Sequence, residues 1–412
     1  MLLRACALAA AAGFAVLALQ AGISKMAIES ESPRFLEPAS FLDPANARLI
    51  YALGRARGPY IDSAEQCRLY QRASRLNPND AAVAGSMASA CLTAMEIGVA
   101  RGAIERTLEM DPTTPRHRWL AVTIYCVAGQ SDLMLRQLRT LLELDPSYAP
   151  SAFRVVAAAG GDEVLRNTQW MPAANQPRLR LMLATHLAGQ RDFPSAAALW
   201  DQAVQAGKPP ALADVRPYLD LLVAGGQAEQ AVRVWQQLQA LGTVPSDAAQ
   251  PASAVFNGDF EREPVAAPFD WRLAPHKGVW VYFDASSAWS GRRSLRADFT
   301  TEENPECELA AQFVPVRPSR AYRLLAYARS SAITSDSGPR LRVTDPDCPA
   351  CSPVETETTT GDTAWRPVEA RFTTGPGQHF ARIALWRHRS RTFPTRITGR
   401  FWLDAVSLRP ET

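Results

Sequence analysis

The spacing that most suggests chemistry is Cys348-Pro349-Ala350-Cys351. Two thiols this close can cycle between dithiol and disulfide, or supply half of a zinc site. Redox catalysis of the thioredoxin kind needs the pair at a helix start after a strand. Here Asp345-Pro346 and Ser352-Pro353 flank it and predict a loop. No second cysteine pair is available to complete a zinc tetrahedron. Outside the cytoplasm, two of Cys307, Cys348 and Cys351 would instead form a disulfide.

A second chemistry is written in alternating runs. Trp280, Tyr282 and Asp284 fall on one face of a predicted strand, opposite Val279, Val281 and Phe283. Arg382, Trp386 and His388 oppose Ile383 and Leu385, and Tyr327 with Arg323 and Arg329 opposes Leu324. Flat aromatic faces beside polar groups suit the apolar C–H side and the hydroxyls of a pyranose. These residues are the candidates for a glycan groove. Trp271, Trp365 and Trp402 are expected in the core. The run Trp386-Arg387-His388-Arg389-Ser390-Arg391, with Arg396 and Arg400 beyond, is the densest positive patch and would meet an acidic polysaccharide, anionic lipid or acidic partner, unless it is a hairpin loop with solvated arginines. Sequence motifs for nucleophilic, nucleotide or zinc catalysis (G-x-S-x-G, a Walker loop, G-x-G-x-x-G after a strand, H-E-x-x-H) are missing. No enzyme is expected.

The elements that position these residues begin with length. The 412 residues exceed one ordinary core and imply about two to four domains. Lys plus Arg minus Asp plus Glu is 44 − 41 = +3, which gives no electrostatic reason to expect nucleic acid. Ala5–Ile23 is apolar apart from Gln20 and follows Arg4. Its length lies at the border between a signal-peptide core and a spanning helix. Residues 1–23 are therefore a signal peptide or a membrane anchor, and both place the rest of the chain outside the cytoplasm. Residues 24–42, with Pro33 and Pro38, are expected to be a tether.

Leu76-Asn77-Pro78, Met110-Asp111-Pro112 and Leu144-Asp145-Pro146 recur every 34 residues, since 110 − 76 and 144 − 110 are both 34. That is the tetratricopeptide period, with proline where the second helix of each unit ends. Ala128-Gly129-Gln130, Ala188-Gly189-Gln190 and Gly225-Gly226-Gln227 predict turns within helix pairs. Residues 43–241 then form a solenoid of about five or six helix pairs, interrupted at 158–176 by Gly160-Gly161 and Pro172. Cys67, Cys91 and Cys126 are expected as small core residues on its helices. Such arrays bind other chains on a concave face. Residues 242–255 predict a linker, and 256–412 an antiparallel β-sandwich of about seven or eight strands.

The sandwich residues also carry a resemblance. Phe256-Asn257-Gly258-Asp259-Phe260-Glu261, Trp289 to Leu295, Val314 to Tyr322, and Trp402-Leu403-Asp404-Ala405-Val406-Ser407-Leu408 resemble, in order, the signature segments of jelly-roll carbohydrate-binding modules and their galactose-binding-like relatives. The resemblance implies a structural Ca²⁺ tying the first strand to the last, through Asp259 or Glu261 with Asp404. Ala405 stands where the family's second closing Asp would be.

The layout of membrane segment, degenerate repeats and sandwich with Phe269-Asp270-Trp271-Arg272-Leu273 is similar to a bacterial family associated with exopolysaccharide or O-antigen-type polysaccharide assembly. That resemblance implies a periplasmic adaptor, inner-membrane anchored or secreted, whose repeats hold polysaccharide polymerase, ligase or export machinery. The sandwich would touch the glycan or the same complex. A purely structural scaffold and a glycan-active enzyme are the alternatives.

Overall fold

The computed structural model describes residues 2–173, 176–205, 209–246, 253–301, 303–393 and 395–411. The chain divides into two compact units, Met1–Leu179 and Arg180–Thr412.

The first unit opens with α1 (Leu2–Ser30), α2 (Pro33–Leu42) and α3 (Ala47–Arg57). The stretch Ala10–Ser30 of α1, with mean hydropathy 1.5, is only 11% buried, and among the described residues it is the one helix long and apolar enough to cross a membrane. The expected tether at 24–42 is a correction: α1 continues through residue 24, and α2 is a packed helix. Leu36 and Ala39 of α2 are buried with Ala27, Leu49 and Leu53. Pro33 lies in the first turn of α2, where its missing N–H has no intrahelical partner to lose, so it starts the helix instead of preventing it.

Three helix pairs follow: α4 (Ser63–Leu76) completes α3, then α5 (Ala81–Thr93) with α6 (Ile97–Met110), then α7 (Pro115–Val127) with α8 (Ser131–Leu144). The second helices end at Leu76, Met110 and Leu144, two residues before each repeated proline, because the residue preceding proline is pushed out of the helical region. Asp62 and Asp80 cap α4 and α5 by accepting backbone N–H bonds from Glu65 and from Ala82 and Val83. Gly54 admits close packing, since a Cβ there would lie 2.7 Å from the Tyr70 ring. Cys67 and Cys91 are not plain core residues. They are bonded to each other and tie α4 to α5 across 24 residues, a link worth about 3 kcal/mol. In α9 (Ala149–Arg166), Gly161 at φ 73° breaks the helix, so the period is lost there.

The division between units falls in the first turn of α10 (Gln176–Gly189), which pairs with α11 (Phe193–Gln205). α12 (Leu212–Ala224) and α13 (Ala228–Ala240) form the last pair. Trp200 and Trp235 stand at the same place in α11 and α13. Trp200 stacks on Tyr218, at 5.9 Å. Trp235 meets Phe256 and Phe269 of the sandwich, at 5.3 and 5.6 Å. The aromatic contact bridges the expected linker, of which residues 247–252 lie outside the described residues. Val244 and Val255 on either side are buried.

The sandwich has ten strands among the described residues. One sheet joins β1 (Arg272–Leu273), β4 (Cys307–Pro315), β9 (Phe380–Arg387), β6 (Arg340–Thr344) and β7 (Val354–Glu355), in that order. The other joins β2 (Val279–Asp284), β3 (Ser294–Thr301), β10 (Ile397–Pro410), β5 (Ala321–Ile333) and β8 (Gly361–Thr373). All pairings are antiparallel. From β3 to β10 the chain changes sheet at every step except β6 to β7, so neighbours in sequence are seldom neighbours in a sheet. Leu295, Leu324, Ile383, Leu385, Phe401 and Leu403 fill the space between the sheets with Trp271 and Phe260. The protein is thus a tetratricopeptide-like solenoid with an apolar amino-terminal helix and a carboxy-terminal antiparallel β-sandwich.

Candidate functional sites

The glycan candidates do not share one face. Trp280 and Tyr282 lie on β2 and Tyr327 on β5, in one sheet. Arg382 and Trp386 lie on β9, with His388 just beyond it, in the other. A single groove of Trp280, Tyr282, Tyr327, Arg382 and Trp386 is therefore corrected to two separate sets. Alternation assigns a side chain to the inside or the outside of its own sheet, and it is silent on which sheet a strand joins.

On the Trp280 side, register places Tyr282 opposite Arg296, Arg296 opposite Trp402, and Trp402 opposite Arg329. Trp402 is buried, yet its side chain is on the outside of its sheet and not between the layers. Arg296 and Arg329 cover its ring with their guanidinium carbons 5.2 and 5.0 Å from the centroid. Such contacts gain strength when shielded from water. Trp402 Nε1 donates to Asp284 at 2.9 Å. Arg296 also bonds Asp298 at 2.6 Å, and Tyr282 donates its hydroxyl proton to Asp298 at 3.0 Å. Burial of Asp284 opposes its ionisation, but hydrogen bonds from Ser286, Trp402 and Arg296 outweigh it and hold the carboxyl down at about 2.

Onto this lattice the β2–β3 loop places Trp289, stacked on Tyr327 at 4.1 Å with 10° between the planes. Three rings remain open to solvent on this side: Trp280 at 69%, Trp289 at 46% and Tyr282 at 37% exposure. Trp289, Arg296, Asp298 and Arg329 complete the site. The alternation of Arg296 and Asp298 in Ser294–Thr301 was readable beforehand. The stacking of Trp289 on Tyr327 spans 38 residues and carries no local signal.

The proposed calcium ligands hold that same loop. Glu261 Oε1 accepts the backbone N–H groups of Arg292 and Arg293, at 2.6 and 2.9 Å. Asp404 Oδ2 accepts those of Trp289 and Ser290, at 2.7 and 2.9 Å, and Oδ1 that of Ala405. Gly291, at φ 67°, lets the turn press against Glu261. Asp259 contributes only a long bond to the backbone of Glu261. Among the described residues the one cluster of three metal-ligating side chains is Cys67, Cys91 and Glu96, whose cysteines are already bonded together. Asp259, Glu261 and Asp404 thus form no such cluster, and the donors aimed at Glu261 and Asp404 are N–H groups. Both clamp the loop through its backbone N–H groups. Burial, with the nearby charge of Glu261, pushes Asp404 up to about 6 against the lowering effect of its N–H donors.

On the opposite sheet, charges are paired around Trp386. Arg342 lies 4.5 Å over its ring. Trp386 Nε1 donates to His388 Nδ1 at 3.3 Å, leaving His388 Nε2 to donate to Glu355 at 2.7 Å. Arg382 holds Glu308 with two bonds. Arg387, expected in a positive surface patch, is wholly buried instead. It donates to Pro305 O, Asn304 and Ser335, so it ties the β3–β4 and β5–β6 loops to the end of β9. Trp365 is half-buried and outside the core cluster. Cys348 is bonded to Cys351, and Cys307 is a free buried thiol raised to about 11 by burial.

In the first unit, a groove of about 580 Å³ runs across α3, α4, α5 and α7. Ala82, Gly85 and Ser89 line it from α5, with Tyr51, Arg116 and Trp119 from the neighbouring helices. Tyr51 is fixed by Ser86 at 3.1 Å and by the Tyr70 ring at 5.6 Å. Aromatic walls with polar tips suit an extended peptide.

No protein-family model matches the chain, and none of the curated proteins matches it. Solved structures do. YrrB, a tetratricopeptide-repeat protein with an unusual peptide-binding site, is similar at 16% identity and a TM-score of 0.31, over 43% of this chain and 81% of its own. The CBM22-1 xylan-binding domain from Paenibacillus barcinonensis Xyn10C is similar at 15% identity and a TM-score of 0.27, over 37% and 91%. TmCBM61, solved with β-1,4-galactotriose, is similar at 21% identity and a TM-score of 0.28, over 39% and 99%.

Proposed function

We propose that this chain is a non-enzymatic adaptor of the bacterial cell envelope, held to the inner membrane by α1 with its remaining residues in the periplasm. Its helical groove takes a peptide segment of a protein partner, and its sandwich takes a glycan. The observation that carries the glycan reading is the outer face of the β2-β3-β10-β5-β8 sheet. There Trp280 and Trp289 stand open above an arginine–carboxylate lattice that fixes their surroundings, so little order must be imposed when a sugar arrives. Two bonded cysteine pairs support an oxidising compartment. The resemblance in layout supports surface-polysaccharide polymerase, ligase or export machinery as the partner. The glycan and peptide sites are each modest, and joining them on one chain raises the effective concentration of the second ligand.

The test is a glycan array probed with the full chain and with its Trp280→Ala variant. Binding to a defined class of polysaccharide by the parent, lost in the variant, is the expected result. A folded parent that binds no glycan would leave the sandwich as a scaffold. Turnover of a labelled polysaccharide would make the chain an enzyme.

A further inference from the structure

Helix α2 is apolar on two sides. Leu36 and Ala39 face α1 and α3 and are buried. Phe35, Phe41 and Leu42 are 62%, 85% and 51% exposed, and Pro38 is exposed with them. At 35, 38, 41 and 42 they form one stripe along the helix. An open stripe of two phenylalanines beside a proline and a leucine marks a surface that meets something other than water.

The neighbouring helix says what that is. α2 runs back along α1: Gln20 Nε2 donates to the carbonyl of Leu42 at 2.7 Å, and Ser24 donates to Asp43 at 2.9 Å. The end of α2 is therefore level with Gln20. That is also where the apolar run of α1 meets its first polar residue after Arg4. From Ala5 to Leu19 is 15 residues of helix, a length of about 22 Å against the roughly 30 Å thickness of a hydrocarbon core, a shortfall that local thinning of the bilayer takes up. Beyond it, Ile23 and Ile28 of α1 pack with Ala27 against α2 and α3, so this part of α1 belongs to the folded unit.

We infer that α2 rests on the bilayer, with Phe41 and Leu42 at the edge of the hydrocarbon and Phe35 among the headgroups. Phe35 is six residues farther along the helix, about 9 Å. The partner of this stripe is the lipid surface around the exit of α1. The inference rests on the reading of α1 as a retained anchor. Its consequence is that the first helix pair is seated on the membrane, where a tether would have let it swing.

The full chain, reconstituted in nanodiscs of phosphatidylethanolamine and phosphatidylglycerol, tests this by photocrosslinking. p-Benzoylphenylalanine replaces Phe14, Phe35, Phe41 or Tyr60 one at a time, and lipid adducts are read by mass. Tyr60 is 82% exposed at the far end of α3. Adducts are expected at 14 and 41, fewer at 35, and several-fold fewer at 60. Adducts at 14 with none above the level of 60 at position 41 would overturn the seating of α2 and leave the anchor intact. No adducts at 14 would overturn the anchor and the seating together. A crosslink from 41 to a second polypeptide would show that a protein covers the stripe, and would likewise overturn the inference.

Discussion

The two outer faces of the sandwich use the same residue types. Each has a tryptophan under an arginine; Arg296 bonds Asp298 and Asp284 directly, whereas Arg342 is only ion-paired with Glu355, at 3.8 Å. On the β10 side, Trp402 is covered by Arg296 and Arg329, and two further tryptophans remain open beside it. On the β9 side, Trp386 is covered by Arg342 and tied to His388, which is tied in turn to Glu355. The first face keeps its lattice underneath and its rings on top. The second uses its tryptophan as part of the lattice. A polar-aromatic composition alone does not make a binding face; it needs rings left over after the internal pairs are made.

The largest effect that would break this comparison is on binding. Trp280→Ala or Trp289→Ala should each lower glycan affinity about tenfold or more, roughly 1.4 kcal/mol, with the melting temperature nearly unchanged for the exposed Trp280 and slightly lowered for Trp289, which also loses its stack on Tyr327. Trp386→Ala should leave affinity unchanged in the same titration. An equal loss from Trp386→Ala would put the site on the wrong sheet.

Next comes stability. Trp402→Ala removes a buried ring and its bond to Asp284, and should cost about 3 kcal/mol in urea unfolding. Arg342→Ala on the opposite face removes only a partly exposed pair and a ring contact, and about 0.5–1 kcal/mol is expected. Similar losses from both would mean that the two lattices carry equal load.

Acid dependence separates the loop clamp from the lattice. The folded pKa of Asp404, about 6, lies above the ordinary carboxyl value of 3.8. The folded state therefore binds the extra proton between those values. Stability from this group is full below about pH 4 and falls as pH rises to about 6. The melting temperature of Asp404→Asn should lack that fall when the two proteins are scanned from pH 4 to 7, and parallel curves would refute the assignment. Asp284 is the opposite case, since its pKa is lowered to about 2 and its contribution is lost only as pH falls through that value.

The smallest effect should come from chelation. If Glu261 and Asp404 act as clamps and Asp259 binds no ion, EDTA leaves the melting temperature and glycan binding unchanged. A rise in melting temperature on adding calcium to the chelated protein would restore the ion.

Much of the helical part was legible beforehand. The 34-residue recurrence of proline is a local signal, because proline acts on the residue before it, and the three helix ends follow from it. The tether did not survive for the converse reason. Pro33 and Pro38 count against a helix in isolation, but Leu36 and Ala39 gain a packed surface on α1 and α3 that local composition does not report. In the sandwich, alternation correctly put Trp280 and Tyr282 outside and Val279 inside. Trp402 was expected in the core because a sandwich needs aromatics there, whereas two arginines from other strands bury this one from outside.

The sequence by itself determined what each short stretch does: where helices stop, which side of a strand is apolar, and that a solenoid precedes a sandwich. Those properties depend on backbone sterics and on side chains a few residues apart. Only the tertiary structure decided which aromatics share a face, which arginines are buried, and which cysteines bond. Those depend on how strands distribute between two sheets and on contacts such as Trp289 with Tyr327, whose partners lie far apart in the chain and meet only after the core has closed.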